Sequence, residues 1–151
     1  MGKLSEYAIP TEVVDVPGKD GAPVFSFTVR GISFADVSAL IRRHGQALNS
    51  VYATAMDSED GISPEIVSRA LMEIAPQAAT EIIGLATGED NIAQASKNAA
   101  RLPLIVQFDA LHKIAVLTFH SEAELKKAVE AATSGMGLLM SLVTNLMQPK
   151  V

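Results

Sequence analysis

The chain has no cysteine and no tryptophan. The first absence removes disulfide frameworks, thiolate nucleophiles and cysteine metal sites together, and leaves no reason to invoke an oxidising compartment. Aromatic residues are sparse at 5% of 151 residues, so platforms for stacking nucleic-acid bases are few. Positive charge is also short: 12 Lys and Arg against 17 Asp and Glu leave a net charge of −5, which offers no general attraction to nucleic acid or anionic lipid. No apolar run approaches the roughly twenty residues of a membrane span. The first ten residues carry a single cation, Lys3, and no apolar stretch before Pro10, so they do not read as a secretory signal.

What is present is a globular composition. Hydrophobic residues make up 48% and charged residues 19%, too apolar to stay disordered. The length suits one domain able to bury a core without metal or disulfide staples. In Val24 to Arg30, Phe25, Phe27 and Val29 alternate with Ser26, Thr28 and Arg30, the period of a strand. Thr11 to Val16 also favours β structure, and the intervening Pro17 to Pro23 is dense in turn formers, so a hairpin is expected. Two strands alone are marginal in water; this hairpin must lie on helices or pair its edge with another chain.

From Ser33 the period changes to about 3.6. Phe34, Val37, Leu40, Ile41, Leu48 and Val51 fall on one stripe, with Ser33 as N-cap and Asp36 three residues on. Asp57 to Gly61 breaks that helix, and Ser63-Pro64-Glu65 starts another in the order of an N-cap, an N1 proline and an acidic first turn. Pro76 opens a third helix that Gly88 closes. Glu89-Asp90 begins a shorter alanine-rich helix ended by Pro103, and Leu104 to Phe119 follows as a strongly apolar one. Ser121 with Glu124 forms a capping box for a last segment, Glu122 to Met147, with a break or bend at Gly135 and Gly137. The expected architecture is mainly α: six or seven helices in a single domain over residues 11–147, with a small N-terminal hairpin over 11–30, a flexible tail over 1–10 and a short tail over 148–151.

Chemistry is hard to find in this pattern. The acidic Asp57 to Gly61 resembles a calcium loop, but taking Gly61 as the obligatory glycine puts Met56 and Val67 at ligand positions. Gly18-Lys19 lacks the rest of a phosphate loop. His44, His112 and His120 form no metal-binding pair of the usual helical spacing. Asp109 could orient His112 for base catalysis, yet no nucleophile motif gives such a base a task, and a helix-surface pair is the simpler account. Arg42-Arg43-His44 and Lys126-Lys127 read as solvated helix faces. No enzyme, cofactor or metal is expected, and neither nucleic acid nor membrane is an expected partner.

Hydrophobic surface remains. Met136, Met140, Val143 and Met147 form one stripe of the last segment, and Leu139, Leu142 and Leu146 an adjoining one. The combined face is wider than a surface helix of a small domain needs, and unbranched methionine suits adaptable binding surfaces; the same residues would serve equally as core.

Three stretches give a resemblance. Val29 to Asp36 running into Leu40 to Gly45, Leu102-Pro103 leading to Gln107 to Leu111, and Leu117-Thr118-Phe119 before Leu125-Lys126-Lys127 are similar to the tail assembly chaperones of long-tailed bacteriophages, the pre-tape-measure proteins encoded just ahead of the tape-measure gene. The resemblance spans about Val24 to Val129 and is one of texture, without a single diagnostic motif. It implies a non-enzymatic, mostly helical protein of the host cytoplasm that binds the tape-measure protein, helps bring tail-tube protein to it, and is absent from the finished particle. A tape-measure chain is long and helical, so its partner needs a broad apolar face, for which the C-terminal residues above are the candidates. The hairpin edge is the candidate for homo-oligomer formation. Rival readings are a structural virion component, such as a tube or connector subunit, and a small ligand-binding or enzymatic helical domain.

Overall fold

In a computed structural model of the chain, described over residues 2–119 together with 123, 124 and 127, the hairpin comes first. Strands β1 (Thr11–Pro17) and β2 (Pro23–Arg30) pair antiparallel, with Val14 opposite Phe27 and Glu12 opposite Val29. The turn closes through Gly18 N–H to the Ala22 carbonyl at 2.7 Å, and Gly21 takes a positive φ of 85° that a side chain would strain. One 3₁₀ turn, Leu4–Glu6, precedes it.

Five helices follow: α1 (Phe34–Met56), α2 (Pro64–Ile74), α3 (Pro76–Ala86), α4 (Ile92–Ala100) and α5 (Leu104–Thr118). That is five among the described residues, not six or seven; the additional helices were expected in Glu122 to Met147, most of which lies outside them. Ser33 and Asp36 form the capping box of α1, and Ser63 caps α2 ahead of Pro64 at N1. The start of α4 is later than Glu89-Asp90: Asn91 is the N-cap, its side chain accepting from Gln94 N–H at 3.0 Å.

Helix α3 is the centre of the molecule. Ala78, Ala79, Ile82, Ile83, Leu85 and Ala86 are all buried, a helix apolar on nearly every side and therefore covered on nearly every side. Its small residues let α4 come close: a Cβ on Gly84 would lie 2.9 Å from the Ser96 backbone nitrogen. The hairpin joins this core through Val14 and Val29, both fully buried, and is stitched to α5 by three contacts. Ile32 N–H donates to Thr118 Oγ1 at 3.1 Å, Lys113 Nζ donates to the Val13 carbonyl at 2.8 Å, and Gly31 packs against the Leu117 carbonyl closely enough that a Cβ would sit 3.0 Å away. The open-edged hairpin is thus anchored on helices, as its marginal stability requires.

Candidate partner-binding surface

The face proposed from sequence, Met136, Leu139, Met140, Leu142, Val143, Leu146 and Met147, lies outside the described residues, as do His120 and Ser121. Within the described residues, large apolar side chains are exposed on the N-terminal segment (Leu4, Tyr7, Ile9), on the hairpin (Val13, Val24, Phe25), at the start of α1 (Phe34) and on α5. Helix α5 turns Val106, Ala110, Leu111 and Ile114 into the core, against α2, α3 and the strands. Its other side is apolar as well: Leu104 is 74% exposed, Ile105 68% and Val116 49%, with Phe108 half-buried between them. Among the described residues no element covers this side of α5.

Beside it runs an open groove of about 490 Å³. Ile105, Val106, Phe108, Asp109 and His112 of α5 make the floor; Asp15 and Pro17, at the end of β1, form one wall, and Glu65, in the first turn of α2, the other. The polar groups on this rim are mainly carboxylates. Glu65 pairs with Arg69 at 3.0 Å and Asp109 with Lys113 at 3.0 Å, both one helical turn away, and Asp15 accepts from Ser26 Oγ at 2.7 Å. Asp109 is therefore engaged with Lys113, and among the described residues no hydrogen bond joins it to His112. The two residues both line the groove without forming the oriented pair that base catalysis would use.

Other candidates are placed as follows. Val24 and Phe25 are exposed on the hairpin, Phe25 stacked on Phe27 with ring centroids 6.4 Å apart. Phe34, expected on the core stripe of α1, is 88% exposed instead; it is the first residue of the helix, where the stripe runs off the end of the packed surface. The loop Asp57 to Gly61 is a tight turn in which Gly61 takes φ 81°, and among the described residues no group of three or more His, Asp or Glu could hold a metal. No described helix is long and apolar enough to cross a membrane.

One polar cluster was not visible in the sequence. The side chains of Arg43 and His44 both reach Glu81 on α3: Arg43 pairs with one carboxylate oxygen, and His44 Nε2–H donates to the other at 2.6 Å. The expectation of a solvated Arg42-Arg43-His44 face holds for Arg42 and Arg43, which are exposed, and is corrected for His44, whose side chain is half-buried against Glu81. At His44 the backbone leaves the helical region, with φ −128° and ψ 25°, so α1 kinks where its side chain is held and where Gly45 follows. Burial raises the pKa of Glu81, but the hydrogen bonds and charges of Arg43 and His44 outweigh it and hold the carboxyl below its ordinary value. Glu81 is 37 residues from His44, so no local spacing announces the contact. The cluster fixes the bend of α1 against α3; it is a structural device.

A family model described as pre-tape measure protein matches residues 1–149. No curated protein and no solved structure matches the chain.

Proposed function

The chain belongs to the pre-tape measure protein family of phage tails, and from that premise we propose that it is a tail assembly chaperone. In this reading it binds the tape-measure protein in the host cytoplasm, helps recruit tail-tube subunits to it, and leaves before the particle is complete. The observation that carries the proposal is the family match across nearly the whole chain. The uncovered apolar side of α5 supports it, because an exposed apolar patch on a small protein marks a surface used by a partner. No catalytic role is proposed.

Two measurements test this together. Full-length protein should capture purified fragments of the tape-measure protein of the same phage, and mass spectrometry of purified particles should lack the chain. Its presence in particles at a fixed stoichiometry would point instead to a tube or connector subunit. Failure to capture any fragment removes the chaperone reading.

The C-terminal face from Met136 to Met147 is proposed as one docking surface, and Met140→Asp with Val143→Asp tests it. If those residues are core, burying two carboxylates costs several kcal/mol and the melting transition collapses. If they anchor a partner, the fold persists and capture of tape-measure fragments falls sharply.

A further inference from the structure

We propose that the outer edge of β2 pairs with β2 of a second copy of the chain, so that two hairpins join into one four-stranded antiparallel sheet. The hydrogen bonds of the hairpin supply the first part of the case. Among the described residues the sheet has two strands, so every second residue of each turns its N–H and C=O away from the other. Strand β1 is guarded against further pairing: it carries Glu12 and Asp15, it ends at Pro17, and Lys113 of α5 donates to the Val13 carbonyl at 2.8 Å. Strand β2 has no such device between its ends. From Val24 to Val29 it holds no charged residue and no proline, and among the described residues no hydrogen bond from outside the hairpin reaches its backbone. At 8 residues it is long for an unprotected edge.

The side chains supply the second part and identify the occupant. Set antiparallel to itself about Phe27, β2 matches from Val24 to Arg30: Phe27 stands opposite Phe27 of the second copy, Phe25 opposite Val29, Ser26 opposite Thr28 and Val24 opposite Arg30. One face then aligns aromatic and branched side chains and extends the stack of Phe25 on Phe27, in which Phe25 is 61% exposed in the single copy. The other face aligns hydroxyls, and nowhere do like charges meet. A charged strand from another protein finds no charge partner between Val24 and Val29, whereas β2 fits this stretch without one. The pairing spans about 20 Å of strand. It also brings the sheet from two strands, which are marginal alone, to four.

This inference stands apart from the chaperone reading, which needs no second copy, so either can fail alone. Sedimentation of full-length protein from micromolar to near-millimolar concentration should show a monomer passing into a dimer. Ser26→Lys with Thr28→Lys sets lysine opposite lysine at two points and should weaken the dimer about tenfold. Ser26→Lys with Thr28→Glu sets opposite charges at the same two points and should restore it. Both positions are exposed, so both variants should keep the fold, which circular dichroism checks. Because the chain has no cysteine, the register can also be read directly. Under mild oxidation, Ser26→Cys protein mixed with Thr28→Cys protein should cross-link several-fold faster than either alone, and Val13→Cys on the guarded strand should not cross-link.

A chain that stays monomeric at every concentration overturns the proposal. So does a dimer undiminished by lysine at both positions, or a cross-link that forms no faster between the two cysteine variants than within each. A cross-link formed through Val13→Cys instead would move the interface to β1 and overturn it equally. If the lysine variant loses melting temperature, the cysteine pair decides, since it reads the same edge without added charge.

Discussion

Replacing Gly84 by alanine should destabilise the protein, although the same change in most helices is stabilising. In an exposed helix interior alanine gains about 1 kcal/mol over glycine, because glycine loses more backbone freedom on folding. At position 84 that gain meets a wall. The new Cβ would lie 2.7 Å from Ser96 Oγ, 2.9 Å from Ser96 N and 3.2 Å from Ser96 Cα. The hydroxyl can rotate away, but the backbone cannot move without shifting α4. Helix α3 cannot recoil either, since Ala78, Ala79, Ile82, Ile83 and Ala86 are packed on its other sides. Overpacking of this kind costs about 1–3 kcal/mol, occasionally more. With no room to relax, the upper part of that range applies, and subtracting the helix gain leaves a net loss of about 1–2 kcal/mol. For a chain of this size the melting temperature should fall by about 2–8 °C. Thermal and urea unfolding followed by circular dichroism measure it. Ser96→Ala is the informative companion: its Oγ is buried with no hydrogen-bond partner among the described residues, so removing it should leave stability unchanged or raise it. It should not rescue Gly84→Ala, because the backbone contact persists. A melting temperature that rises in Gly84→Ala would refute the close approach of α3 and α4.

Glu81→Gln should weaken the tie between the kink of α1 and α3 by about 1–3 kcal/mol at neutral pH, the range for hydrogen bonds to a charged group. Because the folded pKa of Glu81 lies below its ordinary 4.5, its stabilisation is present above that value and lost as pH falls through the folded value. Urea midpoints from neutral to about pH 3 should therefore fall more steeply in wild type than in Glu81→Gln; parallel curves would show that the pairing contributes nothing. Gly31→Ala should loosen the hairpin from α5, where the Leu117 carbonyl stands 3.0 Å from the added Cβ. Amide exchange should rise across β1 and β2 while α3 keeps its protection, and unchanged exchange in the strands would count against this docking.

Local signals carried most of the elements into the sequence. The capping residues Ser33 and Ser63, the N1 proline Pro64 and the glycine Gly88, with φ 74°, each act within a few residues, so their meaning survives without knowledge of the fold. The same holds for the alternation that buried Val29 and left Thr28 exposed. Contacts made across the chain left no such mark. Glu81 reads as an ordinary helix charge until Arg43 and His44 are brought beside it, and Phe34 reads as core although the first turn of α1 leaves it exposed. The alanines of α3 and α4 suggested nothing beyond helix propensity, although with Gly84 they set how closely the two helices approach.

Helix α5 was legible as a strongly apolar helix, but its sequence did not say which of its sides would be covered; α3 is buried on nearly every side and α5 is not. The difference lies in neighbours. Among the described residues, α3 is covered by α1, α2, α4 and α5, whereas α5 is covered by α2, α3 and the hairpin on one side alone. Leaving Leu104 and Ile105 in water forgoes about 1.5–3 kcal/mol each relative to burial. Among the described residues no element does for α5 what α4 does for α3, so its burial stops at the face turned to α2, α3 and the hairpin.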